Sequence, residues 1–287
     1  MFKRLLILVI AALGLSGCST VDVLNRLEPK DGVEIVRDLA FGPAPGDRLD
    51  VYRPKTGKPG PVVVFLYGGS WDSGSRSIYG FVGAALASHG YTVVIPDYRV
   101  YPQVVYPAFL QDNARAVRWA RDHVAEYGGD PARLVLMGHS AGAYNAAMLA
   151  NDPRWLAAVG LDAHKDIAAW VGLSGPYDFL PLKSDELKTI FGPEDQRPAT
   201  QPINYVDGNA VPAFLGVGVK DKVVKPGNTD RMADRIRQRG GQVEMRRYGR
   251  VTHAMMIGVL AAPLRGIAPV LRDVEAFIDR QTGETTP

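Results

Sequence analysis

Five residues, Gly138-His139-Ser140-Ala141-Gly142, set a serine in the spacing G-x-S-x-G. The apolar run Leu134-Val135-Leu136-Met137 precedes them, and a stretch rich in helix formers, Ala143 to Ala150, follows. A strand that turns sharply into a helix holds such a serine exposed at the end of a sheet, where its hydroxyl can attack an electrophile. The flanking glycines suit that turn because side chains there would collide. The plainer reading is an ordinary serine in a strand-to-helix turn. The context on both sides favours a nucleophile.

A serine hydroxyl at neutral pH needs a base, and the base needs an acid to orient it. Of the five histidines, His253 alone lies in a loop, Gly249 to Ala254, that follows a late strand-like run. His139 sits inside the turn itself and is predicted to point away from the serine. His89 and His123 fall in or at the ends of helices. His164 stands between Asp162 and Asp166, with no further histidine or cysteine pattern to make a metal site. For the acid, Asp221 follows the apolar run Ala213 to Gly218 and precedes His253 by 32 positions, which leaves room for one helix and one strand. Asp178 and Asp207 are rivals, one after the preceding strand and one before the Ala213 run.

A tetrahedral intermediate also requires donors aimed at its oxyanion. Tyr67-Gly68-Gly69-Ser70-Trp71 directly follows the apolar run Val62 to Leu66, and glycines let the N–H groups of Gly68 and Gly69 approach a substrate. The N–H of Ala141, at the start of the next helix, completes the set. Trp71, Tyr144 and Phe179 are candidates to wall an apolar pocket, with ordinary core packing as the alternative.

These residues need a scaffold that brings strand ends together. Val33 to Ala40, Arg48 to Tyr52, Pro61 to Leu66, Thr92 to Ile95, Leu134 to Met137, Ile167 to Leu173, Ala213 to Gly218 and Val243 to Tyr248 read as strands. Ile78 to His89, Pro107 to Tyr127, Ala143 to Ala150, Thr229 to Arg239 and Leu264 to Arg280 read as helices. Regular alternation predicts an α/β fold with a mostly parallel central sheet of about eight strands and helices on both faces. Sites in such sheets collect at the carboxyl ends of the strands, where the candidate residues fall.

From about Arg48 to Ile278 the chain resembles the α/β-hydrolase superfamily. Within it, the chain is similar to the esterase/lipase group with a His-Gly-Gly-Gly-type motif, which includes feruloyl-esterase-like and prenylcysteine-methylesterase-like enzymes. The residues carrying the likeness are Tyr67-Gly68-Gly69-Ser70-Trp71, Asp97-Tyr98-Arg99, Gly128-Gly129-Asp130-Pro131, Gly138 to Gly142, Asp221 with Val223-Val224, and His253. The resemblance implies Ser140, Asp221 and His253 as a catalytic triad, with Gly68, Gly69 and Ala141 as oxyanion donors. It implies a structural role for Asp97 and Arg99. Tyr67 stands where the group usually has a histidine that props the oxyanion loop. The expected activity is cleavage of small or medium carboxylic esters through an acyl-enzyme, with no cofactor and no metal. An amidase or peptidase on the same residues is one alternative. A non-catalytic envelope protein that keeps the fold is another.

The ends of the chain carry different information. Met1-Phe2-Lys3-Arg4 followed by an apolar run to Leu15 suits a signal peptide and is short for a membrane span. Leu15-Ser16-Gly17-Cys18 resembles the lipobox of bacterial lipoproteins, which implies cleavage after residue 17 and lipidation of Cys18, the only cysteine. Residues 1–17 are thus expected as leader, 18–30 as a lipidated tether, and 31–287 as one catalytic domain with a small cap-like insertion around 176–205. Ser19 favours an outer-membrane anchor on the periplasmic side. With 46% hydrophobic residues and a net charge of +3, the chain can bury a full core and does not suggest a nucleic-acid binder. Arg231, Arg235, Arg237, Arg239, Arg246, Arg247 and Arg250 form a basic region, read as a solvated face, with contact to anionic lipid headgroups as the alternative.

Overall fold

The apolar runs assemble, in a computed structural model describing residues 20–283, into one sheet. Its strands are β1 (Val33–Ala40), β2 (Arg48–Pro54), β3 (Gly60–Leu66), β4 (Thr92–Pro96), β5 (Gly129–His139), β6 (Ala169–Leu173), β7 (Ala213–Gly218) and β8 (Val243–Tyr248). Their order is β1-β2-β4-β3-β5-β6-β7-β8. The β1–β2 and β2–β4 pairs are antiparallel, and every other pair is parallel. The expected α/β-hydrolase fold is the fold observed.

The helices are α1 (Thr20–Leu27), α2 (Gly80–Ala87), α3 (Ala108–His123), α4 (Ala141–Asn151), α5 (Pro153–Ala157), α6 (Ala163–Asp166), α7 (Asp185–Ile190), α8 (Gly227–Gln238), α9 (His253–Gly258) and α10 (Val270–Thr282). Side chains alternate across a strand, so β3 feeds two cores. Val62, Val64 and Leu66 pack in one layer with Val117 of α3, Ala147 of α4 and Met232 of α8. Val63 and Phe65 pack in the other with Leu86 of α2 and Phe277 of α10. Every residue of β3, β4, β6 and β7 is buried, which is why these strands read as unbroken apolar runs.

Strands β3 and β5 are neighbours, with Leu66 opposite Gly138. The helices that leave them, α2 and α4, pack on opposite faces of the sheet. A crevice therefore opens between the two strand ends, and the Tyr67–Trp71 loop and Ser140 both emerge into it.

Three expectations need correction. Residues 20–27 do not form a loose tether: α1 is docked on the body. The Asn25 side chain accepts from the Phe81 N–H at 2.7 Å and donates to the carbonyls of Ser77 and Ile78 at 3.2 and 3.0 Å. Glu28 accepts the Ala262 N–H at 2.6 Å and pairs with Arg265. Next, β5 begins at Gly129, earlier than the apolar run suggests. Its register shifts between Gly60 and Val62, so the bulge takes up Pro131, which has no N–H to offer a ladder. Finally, the last helix starts after Pro269, and only a short turn, Arg265–Ile267, lies upstream. The leader and Cys18 lie outside the described residues.

Candidate active site

Ser140 joins β5 to α4 with φ 54° and ψ −123°, a conformation that L-residues rarely adopt. Its neighbours make that turn possible. A Cβ on Gly138 would lie 2.1 Å from the Gly142 carbonyl oxygen, and one on Gly142 would lie 1.9 Å from that of Leu66. Any side chain at either position would push β3, β5 and α4 apart. The turn is pinned from β6 as well, because the Ser140 N–H donates to the Leu173 carbonyl at 2.9 Å.

His253 is the first residue of α9, reached directly from β8. Its Nε2 lies 2.9 Å from Ser140 Oγ, and its Nδ1 lies 2.8 Å from Asp221 Oδ2. A carboxylate accepts only, so Nδ1 carries the proton and Nε2 is free to accept from the serine hydroxyl. Asp221 is itself oriented, since its Oδ1 accepts the N–H groups of Val223 and Val224 at 2.9 Å each. The rivals are elsewhere. Asp178 pairs with Arg231, and exposed Asp207 caps its own turn by accepting the Asn209 N–H. The structure therefore brings Ser140, His253 and Asp221 into one hydrogen-bonded line, with neither rival in it.

The loop after β3 is pressed against the serine. A Cβ on Gly68 would meet Ser140 Cβ at 2.9 Å. Gly69, Ser70 and Trp71 all have positive φ, and Gly68 and Gly69 line the space beside Ser140. Tyr67 props the loop as the usual histidine would. Its hydroxyl donates to Asp97 Oδ1 at 3.2 Å, and its ring stacks between Tyr79 and Tyr98. Burial, and then the nearby Asp97 carboxylate, raise the Tyr67 phenol pKa, so the ring stays a neutral donor. Asp97 also accepts the Arg76 N–H, while Arg99 clamps Asp112 with 2.8 and 2.7 Å bonds.

A cavity of about 550 Å³ lies between Ser140 and the segment joining β6 to β7, with Leu180, Leu182 and Lys183 on its walls. Trp71 and Phe179 line it. Tyr144 does not; it is fully buried behind them, and its hydroxyl donates to the Thr200 carbonyl at 2.7 Å, tying that segment down. The basic region near the C-terminus is largely neutralised: Arg231, Arg237, Arg246 and Arg247 pair with Asp178, Asp234, Glu244 and Asp230. Among the described residues no cluster of His, Cys, Asp or Glu is arranged to hold a metal ion, and Asp162 caps α6 through the His164 N–H.

The family profile of BD-FAE matches residues 49–236. The chain belongs to the BD-FAE family. Among curated proteins it is similar to the esterase LipC of Mycobacterium tuberculosis, 33% identical over 221 residues, covering 70% of this chain and 55% of LipC. It is also similar to the isoprenylcysteine alpha-carbonyl methylesterase ICME of Arabidopsis thaliana, 29% identical, covering 81% of this chain and 59% of ICME. The chain thus spans little more than half the length of these relatives. Among solved structures, esterase 2 of Thermogutta terrifontis, phosphonylated by sarin, superposes with a TM-score of 0.74 at 22% identity, covering 90% of this chain and 98% of that one. The BD-FAE match includes Gly68, Gly69, Ser140 and Asp221 and stops short of His253.

His139, like Tyr144, departs from its expected place. His139 does not turn away from the site: its ring lies 4.9 Å from that of His253, and its Nε2 donates to the His253 carbonyl at 3.1 Å. It thereby holds the backbone from which the catalytic imidazole candidate projects. Alternation along β5 puts His139 on the face of Val135 and Met137, the face on which Met256 and Ile257 of α9 pack. Burial first, and then the facing His253, lower the His139 pKa from 6.5 to about 3. Between these values the unfolded chain binds a proton at this site that the folded chain does not, so stability falls as pH drops, by roughly 1.4 kcal/mol per unit. His139→Gln removes that contribution. Urea denaturation at pH 7.5 and pH 5 should show an acid loss smaller by about 2 kcal/mol in the variant; equal losses would contradict the buried neutral imidazole.

Proposed function

We propose that this chain is a serine carboxylesterase. The observation that carries the reading is the unbroken line from Asp221 through His253 to Ser140, at 2.8 and 2.9 Å. The names of LipC and ICME as esterase and methylesterase support it, as does the phosphonylated Thermogutta enzyme on the same fold.

His253 Nε2 takes the Ser140 proton as Oγ attacks the ester carbonyl. Asp221 holds the imidazole and stabilises the imidazolium that forms. The oxyanion settles among the three backbone donors, each worth about 10²–10³ in rate. The intermediate then expels the alcohol, and water attacks the acyl-enzyme by the reverse sequence. The Trp71–Phe179 cavity gives the substrate an apolar surface beside the reacting carbon.

The same reading places the protein in a bacterial envelope, held by lipid on Cys18 and facing the periplasm, most simply on the outer membrane. The basic Lys3-Arg4 start, the apolar run and Leu15-Ser16-Gly17-Cys18 support it. Helix α1 begins at Thr20, two residues beyond that cysteine, so a lipid there would hold the domain close to the bilayer.

Ser140→Ala should abolish turnover of p-nitrophenyl acetate, and retained turnover would remove Ser140 as nucleophile. Asp221→Asn should lower kcat by about 10³–10⁴, by analogy with the orienting acid of other triads, while Asp178→Asn should cost less than tenfold; the reverse ranking would move the acid to Asp178. Cys18→Ala should shift the protein from the membrane fraction to the soluble one, and unchanged membrane association would contradict the lipid anchor.

A further inference from the structure

Ser140 is open from two sides. A second cavity, of about 500 Å³, lies across the serine from the first, between the oxyanion loop, α9 and α1. Its walls are apolar: Val21 and Leu24 of α1, Phe81 of α2, Met255 and Ile257 of α9, and Leu264. His253, Gly68 and Gly69 line this cavity and not the first, whereas Ala141 and Trp71 line the first and not this one.

The proton inventory tells the two cavities apart. Acylation forms the bond from Ser140 Oγ to the carbonyl carbon and breaks the bond from that carbon to the alcohol oxygen. The proton that Nε2 took from Ser140 passes to the departing oxygen, which must lie within about 3 Å of that nitrogen. Of the two cavities, the imidazole lines only the second. Resting on the esterase reading, we infer that the second cavity receives the alcohol half of the ester, an apolar aromatic or branched alcohol, and that the first receives the acyl group. After the alcohol leaves, water enters the same space. His253 takes its proton, its oxygen attacks the acyl carbon, and Ser140 Oγ leaves carrying the proton.

Much of the wall of the alcohol cavity lies beyond the segment matched by the family profile, while Tyr79 and Phe81 lie within it. Val21, Leu24, Met255, Ile257 and Leu264 all lie outside residues 49–236, the part shared with the family. Docking of α1 through Asn25 and Glu28 fixes that wall in place. The first helix after Cys18 is therefore a specificity element, and its contact residues select by size and polarity.

The test varies one half of the ester at a time in the full-length chain. Leu24→Trp should lower the kcat/KM ratio of 2-naphthyl acetate to ethyl acetate at least tenfold and move the ratio of p-nitrophenyl octanoate to p-nitrophenyl acetate less than twofold. Leu24→Ala, which enlarges the cavity, should raise the first ratio. Leu182→Trp, in the other cavity, should lower the second ratio and spare the first. A Leu24 series that moves the acyl ratio instead, or moves neither ratio while wild-type turnover persists, overturns the assignment alone. A wild-type chain that turns over no ester overturns the esterase reading together with it.

Discussion

The site depends on one constraint, the left-handed backbone of Ser140 wedged between the ends of β3 and β5. A non-glycine residue held there stores about 1–3 kcal/mol and persists only where its surroundings over-determine it. Here they do. The Leu173 carbonyl fixes its N–H, Gly142 packs directly on the Leu66 carbonyl, and β5 lies inside a sheet with buried neighbours on both sides. Relaxing the turn would mean moving α4, whose eleven residues are all buried. Strain is thus converted into position: Oγ stands clear of both β5 and α4, within reach of His253.

The proposed oxyanion loop, residues 67–71, is supported from further away. Arg76 bonds to Asp38, Asp50 and Asp97, and Asp97 in turn accepts from Tyr67, the residue before Gly68. The two antiparallel strands at the sheet edge, which carry Asp38 and Asp50, therefore brace that loop through Arg76 and Asp97. On the opposite flank Asn228 of α8 accepts the N–H groups of Tyr177 and Asp178, and Asp178 is held by Arg231. Both loops beside the serine are thus tied to elements outside the crevice.

What could be read from the sequence follows the range of the forces involved. Buried strands betray themselves locally as apolar runs, and the order of serine, acid and base follows from chain direction through a parallel sheet. The docking of α1 was illegible because it rests on Asn25 and Glu28 meeting partners more than 50 and 230 positions away. The place of His139 beside His253 is illegible locally, because it rests on α9, 114 positions away, packing on the Met137 face of β5. Trp71, Tyr144 and Phe179 are alike in type, and only packing separates the two that line the cavity from the one that anchors the segment above it. Asp221 and Asp178 both follow strand ends, and the contact of Asp221 with His253, 32 positions on, separates them.

The account's central claim is that Ser140 is the one hydroxyl activated for attack, and labelling followed by peptide mass spectrometry tests it most directly. Native protein treated with a fluorophosphonate should carry a single adduct, on the peptide containing Gly138 to Gly142, with the modification on Ser140. Prior unfolding in urea should abolish it. An adduct on another residue of the folded chain, or none at all, would contradict the account.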